Sequence, residues 1–361
     1  MCMIMKRVYA LAEVWAVCLL LCIGAGVLHG QSPKRVLFVG NSYVYTNNLP
    51  QVLAQIARCN GKEIVCESST SGGFTFRNHL NSAQTLAKIE AGGYDCIVLQ
   101  GQSQEVAFPD NQFYSQVYPY AGSLDSICKL HNPQARVVFF ATWGYRYGDA
   151  MNCPFYEPFC SFEGMTQRLT DNYTLMARDF RSDVSPVGEA FLQSFLSDST
   201  VVLHSSDNSH PSVLGTYLAA CCFYCAVFEE ALPAAPAIGG VSAERAEYLR
   251  GIANDVVFER WNEWSFAPSA SGDLSLQAAE GAELRAWLLS SGLLRVEGRG
   301  ASGEVRVEFV SAEGRRIGSA GVFVPMNAAV DVPVPQHKGL MFVRLTGEAF
   351  PEGRVLPVVS Y

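Results

Sequence analysis

Charge is scarce in this sequence: 17% of its 361 residues are Asp, Glu, Lys or Arg, and 26 basic side chains are outnumbered by 34 acidic ones. With a net charge of -8 and a pI near 5.3 the chain carries no basic footprint, which excludes a nucleic-acid partner. Histidine is scarce too. Of those after residue 30, His79, His131, His204 and His337 stand apart from one another, and a metal-dependent hydrolase needs clustered His and carboxylate ligands. No metal and no other cofactor is therefore expected. Cysteine is absent after Cys225, and no internal repeat or low-complexity tract occurs. What is abundant is apolar surface: 49% hydrophobic residues suffice for real cores and exclude a disordered chain, and the length suggests two domains.

Residues 1–30 read as an export signal. Lys6 and Arg7 precede a mostly apolar stretch that ends in small residues, so that Gln31 would begin the mature chain. A single-span anchor is the rival reading, but Glu13 interrupts the run and Gly24, Gly26 and Gly30 resemble the approach to a cleavage site. No stable membrane span is expected after cleavage. Cys22 would suit a lipoprotein, although Leu21 before it is bulkier than such signals usually allow. Removing Cys2, Cys18 and Cys22 with the signal leaves an odd number of cysteines, nine. In an exported chain Cys153 and Cys160 are the disulfide candidates, because they would close a short loop rich in Pro and aromatics. Cys222 and Cys225 form a CxxC inside an apolar helical run, which reads as a buried helix face rather than a redox or zinc site.

Beyond the signal, continuous apolar runs alternate with amphipathic segments. "RVLFVG", "EIVCESS", "YDCIVLQ" and "ARVVFFATW" read as strands, and residues 49–59, 83–90, 114–129 and 164–180 as helices. That pattern specifies a parallel sheet covered on both faces, a three-layer doubly wound (flavodoxin-like) α/β domain over residues 32–265. "STVVLH" reads as its last strand. Residues 266–273 form a small-residue linker. From 274 to 361, short segments such as "EVRVEFVSAEGRRIG" alternate apolar and polar at period two, as the strands of a small all-β sandwich do.

"VLFVGNSY" places Ser42 where a strand hands over to a helix, at the carboxyl edge of the sheet where open α/β folds keep their ligands. There Ser42 is either a helix cap or a nucleophile, and at the head of a helix it would also gain from the positive end of the helix dipole. A nucleophilic serine needs a base, and the base needs an orienting group. "DNSHPS" supplies Asp207 three residues before His210, although Asp207 and Ser209 would equally serve to cap a helix beginning at Pro211. Donors for an oxyanion are offered by the Gly73 amide in "STSGGF" and by the side-chain amides of Gln100 and Gln102 in "LQGQSQ".

The set "GNSY", a glycine after the second strand, a polar amide after the third and "DNSHPS" before the last helix resembles the SGNH (GDSL-like) hydrolase superfamily, over residues 35–230. The resemblance implies Ser42 as nucleophile, His210 as base and Asp207 as its partner. It implies an oxyanion hole from Ser42, Gly73 and Gln102, with Gln100 as the alternative to Gln102. The family's GxND block is missing, and "LQGQSQ" stands in its place. "TWGYRYGDAMNCPFYEPFCSFEGM" is similar to a secreted Bacteroidota-type subgroup, which makes Asn41, Trp143, Tyr145 and Arg146 candidates to line the substrate site. The tail, with Gly339, Phe342 and Arg344, resembles a type IX secretion sorting domain; a carbohydrate-binding or immunoglobulin-like sandwich is the alternative.

These resemblances imply an exported, extracellular or surface serine esterase, with the periplasm as the alternative. Its substrate would be a small-molecule or polysaccharide ester, with O-acetyl groups on carbohydrate foremost and lipid esters or thioesters open, and its tail would engage the export machinery. The competing class is a non-catalytic carbohydrate-binding protein on a decayed hydrolase fold.

Overall fold

In the computed structural model the described residues are 32–267, 283–288, 293–299, 303–311, 315–325, 328–335, 339–347 and 350–360. The expected export signal and most of the expected linker lie outside them. Five strands form the central sheet: β1 (Lys34–Gly40), β2 (Ile64–Thr70), β3 (Cys96–Leu99), β4 (Arg136–Phe140) and β5 (Asp183–Ser185). Their order is β2-β1-β3-β4-β5 and every pairing is parallel. This is the doubly wound α/β architecture expected from the runs.

The central strands β1, β3 and β4 carry consecutive apolar residues because both faces are buried there. Val36, Phe38, Cys96, Val98, Val138 and Phe140 point into one core, which includes the helices Leu49–Cys59 and Val213–Phe228. Leu37, Val39, Ile97, Leu99, Val137 and Phe139 point into the other, with the helix Phe162–Phe180. The period-two alternation of Cβ directions sorts one strand between two layers, and each large apolar side chain so buried contributes about 2 kcal/mol. Cys222 and Cys225 are buried with free thiols in the helix Val213–Phe228, pushed up by burial, in keeping with a packing role.

The fifth strand is not "STVVLH". That run meets the rest of the chain through a bridge between His204 and Pro211, while Asp183–Ser185 completes the sheet. Asp183 is fully buried, and that polar residue hides the strand in the sequence. Its carboxylate takes Arg136 at 2.6 and 2.8 Å and the Phe266 and Ala267 amides at 3.1 Å, so the buried charge is paired and hydrogen-bonded.

Beyond the α/β region lie β6 (Glu283–Leu288), β7 (Leu293–Arg299), β8 (Gly303–Ser311), β9 (Arg316–Val324), β10 (Ala328–Pro333), β11 (Gly339–Gly347) and β12 (Phe350–Ser360). They form antiparallel sheets of order β10-β7-β6 and β12-β11-β8-β9. Leu294, Val296 and Val332 from the first sheet share a core with Val305, Val307, Phe309, Val343 and Leu345 from the second. Two sheets around one apolar layer make a small sandwich.

Strand order reverses between β1 and β3, so their carboxyl ends flank a crevice. Gly40 and Gln100 sit there, and the residues that follow each build the site.

Candidate active site

Ser42 is not the cap of its helix. Asn41 takes that position, its Oδ1 accepting from the Tyr43 amide at 3.2 Å, while Ser42 opens a helix of one turn, Ser42–Tyr45. A helix so short has little macrodipole to lend, which removes that expected benefit. The turn is held from several sides. Asn41 Nδ2 donates to the Phe74 carbonyl at 3.0 Å and to that of Gly101 at 3.2 Å. The Asn41 amide donates to Gln100 Oε1 at 2.9 Å. Only glycine fits at position 40, because a Cβ there would lie 2.6 Å from Gln100 Oε1 and 2.8 Å from Val44 Cγ2.

Beneath the turn, His79 is buried, with Nε2 2.9 Å from the Gly40 carbonyl and Nδ1 3.0 Å from Thr85 Oγ1. A carbonyl only accepts, so Nε2 carries the proton and Nδ1 receives that of Thr85. Burial lowers the His79 pKa to about 4, which keeps this ring neutral. His79 supports the backbone that presents Ser42. No signal in the sequence separated it from the other isolated histidines.

The second half of the site is the loop Ser205–His210. Asp207 Oδ1 accepts from the Ser205 hydroxyl at 2.8 Å and from the Ser209 and His210 amides, each at 2.9 Å. Its Oδ2 lies 2.6 Å from His210 Nδ1, and His210 Nε2 lies 2.8 Å from Ser42 Oγ, across 168 residues of sequence. Desolvation raises the Asp207 pKa, but the hydrogen bonds from Ser209, Ser205 and His210 outweigh it and hold the carboxyl well below the usual carboxylate range. Neither Asp207 nor Ser209 caps the following helix. Ser212 does so, its Oγ accepting from the Gly215 amide at 3.2 Å, and the helix begins at Val213 rather than Pro211. Asp207 is thereby left to His210, and the arrangement can withdraw the Ser42 proton toward Nε2 while the anion stabilises the charge that forms.

The expected oxyanion donors fare differently. Gly73 sits at φ +69° in an exposed turn closed by the Phe74 amide on the Ser71 carbonyl at 3.2 Å. Asn41 ties this turn to Ser42 through the Phe74 carbonyl. The Ser42 and Gly73 amides make no hydrogen bond to a described residue. Gln100 is fully buried, its Oε1 accepts from the Asn41 backbone amide and its Nε2 donates to the Gly101 carbonyl. Gln102 folds back on its own turn. Its Oε1 accepts from the Gln104 and Glu105 amides at 2.8 and 3.2 Å, and its Nε2 donates to Ser103 Oγ at 3.0 Å. One Nε2 proton remains beyond the bond to Ser103.

Two of the expected lining residues are interior. Asn41 is 2% exposed and spends its side chain on the turn described above. Trp143 is 0% exposed and stacks between Tyr43, at 4.7 Å, and Phe191, at 4.0 Å. An aromatic residue after β4 looks like a ligand platform in sequence, but here its face is filled by other rings. Tyr145 and Arg146 are partly exposed. The Tyr145 hydroxyl lies 3.1 Å from Ser103 Oγ, and the Arg146 amide donates to the Asn208 carbonyl at 2.9 Å, which joins this loop to the Asp207–His210 loop.

Cys153 and Cys160 form a disulfide. The turn that leads into it is held by the Asp149 carboxylate, which accepts from the Met151 and Asn152 amides, Asn152 Nδ2 and Gln104 Nε2. Among the described residues no three His, Cys, Asp or Glu side chains are grouped to hold a metal.

No family model matches this chain, and no curated protein does. Solved structures do. A DUF4886 family protein from Bacteroides uniformis superposes with a TM-score of 0.53 at 16% identity, over 62% of this chain and 94% of its own, a likeness of fold. A candidate SGNH hydrolase from Slackia heliotrinireducens is 26% identical over 53% of this chain and 97% of its own, with a TM-score of 0.44. An acetyl xylan esterase is 14% identical over 54% of this chain and 99% of its own, with a TM-score of 0.43.

Proposed function

We propose that this chain is a serine ester hydrolase of the SGNH type. Ser42 attacks the ester carbonyl, His210 Nε2 takes its proton and returns it to the departing alcohol, and Asp207 holds the imidazole tautomer and balances its charge. Water then releases the acid from the acyl-enzyme by the same route in reverse. The amides of Ser42 and Gly73, with the remaining Gln102 proton, face the developing oxyanion. The observation that carries this reading is the relay itself: 2.8 Å from Ser42 Oγ to His210 Nε2 and 2.6 Å from His210 Nδ1 to Asp207. In the same proposal the preferred substrates are O-acetyl or similar esters on carbohydrate, and the enzyme is exported, with its C-terminal strands engaging the export machinery.

The test is hydrolysis by the purified mature protein of p-nitrophenyl acetate beside a panel of acetylated polysaccharides. Release of acetate from both, lost in Ser42→Ala, is expected. Binding of the polysaccharides without release of acid would refute the enzymatic reading and favour a binding protein.

A further inference from the structure

His210 and Asp207 stand on an exposed loop, with side chains 36% and 51% accessible, yet the relay requires Nε2 to stay in contact with Ser42. Something must fix that loop from below. All three polar groups of Ser209, the residue before the base, are engaged. Its amide donates to Asp207 Oδ1 at 2.9 Å, its carbonyl accepts from Trp143 Nε1 at 3.0 Å and its Oγ lies 2.7 Å from the Tyr43 hydroxyl. Both aromatic partners are interior. Tyr43 and Trp143 stack 4.7 Å apart at 4°, and Trp143 stacks on Phe191 4.0 Å away at 5°. Tyr43 also meets the His210 ring edge-on at 5.6 Å. Tyr43 follows Ser42 directly, so the single helical turn that presents the nucleophile also grips the loop that presents the base.

Resting on the hydrolase reading, we propose that Tyr43 and Trp143 are positioning residues that set the distance from His210 to Ser42 by clamping Ser209. Trp143, the residue that seemed in sequence to belong to the substrate, thereby belongs to the base. The stack makes the clamp rigid. Phe191, on the helix Val187–Ser197, backs Trp143, and Trp143 backs Tyr43, so neither hydrogen-bond partner of Ser209 can retreat without opening the close-packed core.

The test uses Tyr43→Phe, Trp143→Phe, their combination and Ser209→Ala. Tyr43→Phe keeps the stack and deletes the hydroxyl; Trp143→Phe keeps a ring and deletes the N–H. Ser209→Ala leaves the column intact and serves if a core variant fails to fold. Two quantities are read, kcat and KM on p-nitrophenyl acetate and the rate constant for phosphonylation of Ser42 by a fluorophosphonate. The phosphonylation rate reports the relay without substrate binding, whereas partial unfolding would reduce only the extent of labelling.

Each single variant is expected to lower kcat and the labelling rate together by about tenfold, the equivalent of one hydrogen bond, with KM within twofold and labelling complete. The double variant is expected to lose less than the product of the single losses, since both act through Ser209. Labelling rates within twofold of wild type in the folded variants would overturn the proposal, as would losses confined to the extent of labelling. A wild-type protein that neither turns over ester nor takes the label overturns the hydrolase reading itself, and the two failures are thereby distinguished.

Discussion

Replacing Asp207 by asparagine keeps the number of heavy atoms and removes one charge, and the structure dictates where the amide must point. One side of the carboxylate receives three donors, the Ser205 hydroxyl and the amides of Ser209 and His210. The other faces His210 Nδ1 at 2.6 Å. An asparagine places its oxygen toward the three donors, because reversing it would set an NH2 group against two backbone N–H groups. Its nitrogen then faces Nδ1, and a donor there forces Nδ1 to be the acceptor and Nε2 to carry the ring proton. An imidazole protonated at Nε2 cannot accept from Ser42. The wrong tautomer costs about 10³ to 10⁴ in kcat, or roughly 4 to 5.5 kcal/mol of barrier. Stability should change little, since the three loop bonds survive. The assay is kcat and KM on p-nitrophenyl acetate beside a thermal melt followed by circular dichroism. A folded Asp207→Asn protein retaining more than a tenth of wild-type kcat would refute the relay as described.

Three further outcomes follow from the same contacts. Because the folded-state pKa of His79 is lowered to about 4 by burial, the unfolded chain binds the extra proton first as pH falls. Stability should be full above pH 6.5 and decline toward pH 4 by about 3 kcal/mol, and urea titrations of His79→Gln should show a shallower decline over that window. Glu105 behaves oppositely: burial raises its pKa to about 7, so its contribution is present below pH 4.5 and lost as pH rises through 7. Glu105→Gln should therefore raise Tm at pH 8 relative to wild type and change it less at pH 4. Replacing Cys153 and Cys160 together by serine should lower stability by about 2 kcal/mol through the freed loop, measured by urea unfolding.

The central sheet was legible because β1, β3 and β4 carry runs of consecutive buried apolar residues, 36–39, 96–99 and 137–140, which only a sheet covered on both faces requires. The fifth strand was not, since Asp183 interrupts its pattern for a buried pairing with Arg136 that only the folded chain supplies. "STVVLH" carried the apolar signal of a strand but lies against the Asp207–His210 loop, where it brings the His204 backbone to Pro211. Ser42, Asp207 and His210 could be picked out because each follows a recognisable change of local structure, and the fold brings them into contact. Direction of side chains was the missing quantity. The sequence says that Trp143 follows β4, but its stacking between Tyr43 and Phe191 depends on three elements meeting. Gln100 and Gln102 differ by two positions and look alike as donors, yet one lies under the Ser42 turn and the other closes its own.

The central claim is that Ser42 is the nucleophile and that His210 activates it. The most direct measurement is treatment of the folded protein with a fluorophosphonate, followed by intact mass and peptide mapping. One adduct is expected, on the peptide containing Ser42, absent in Ser42→Ala and strongly slowed in His210→Ala. An unlabelled wild-type protein, or an adduct that persists in Ser42→Ala, would contradict it.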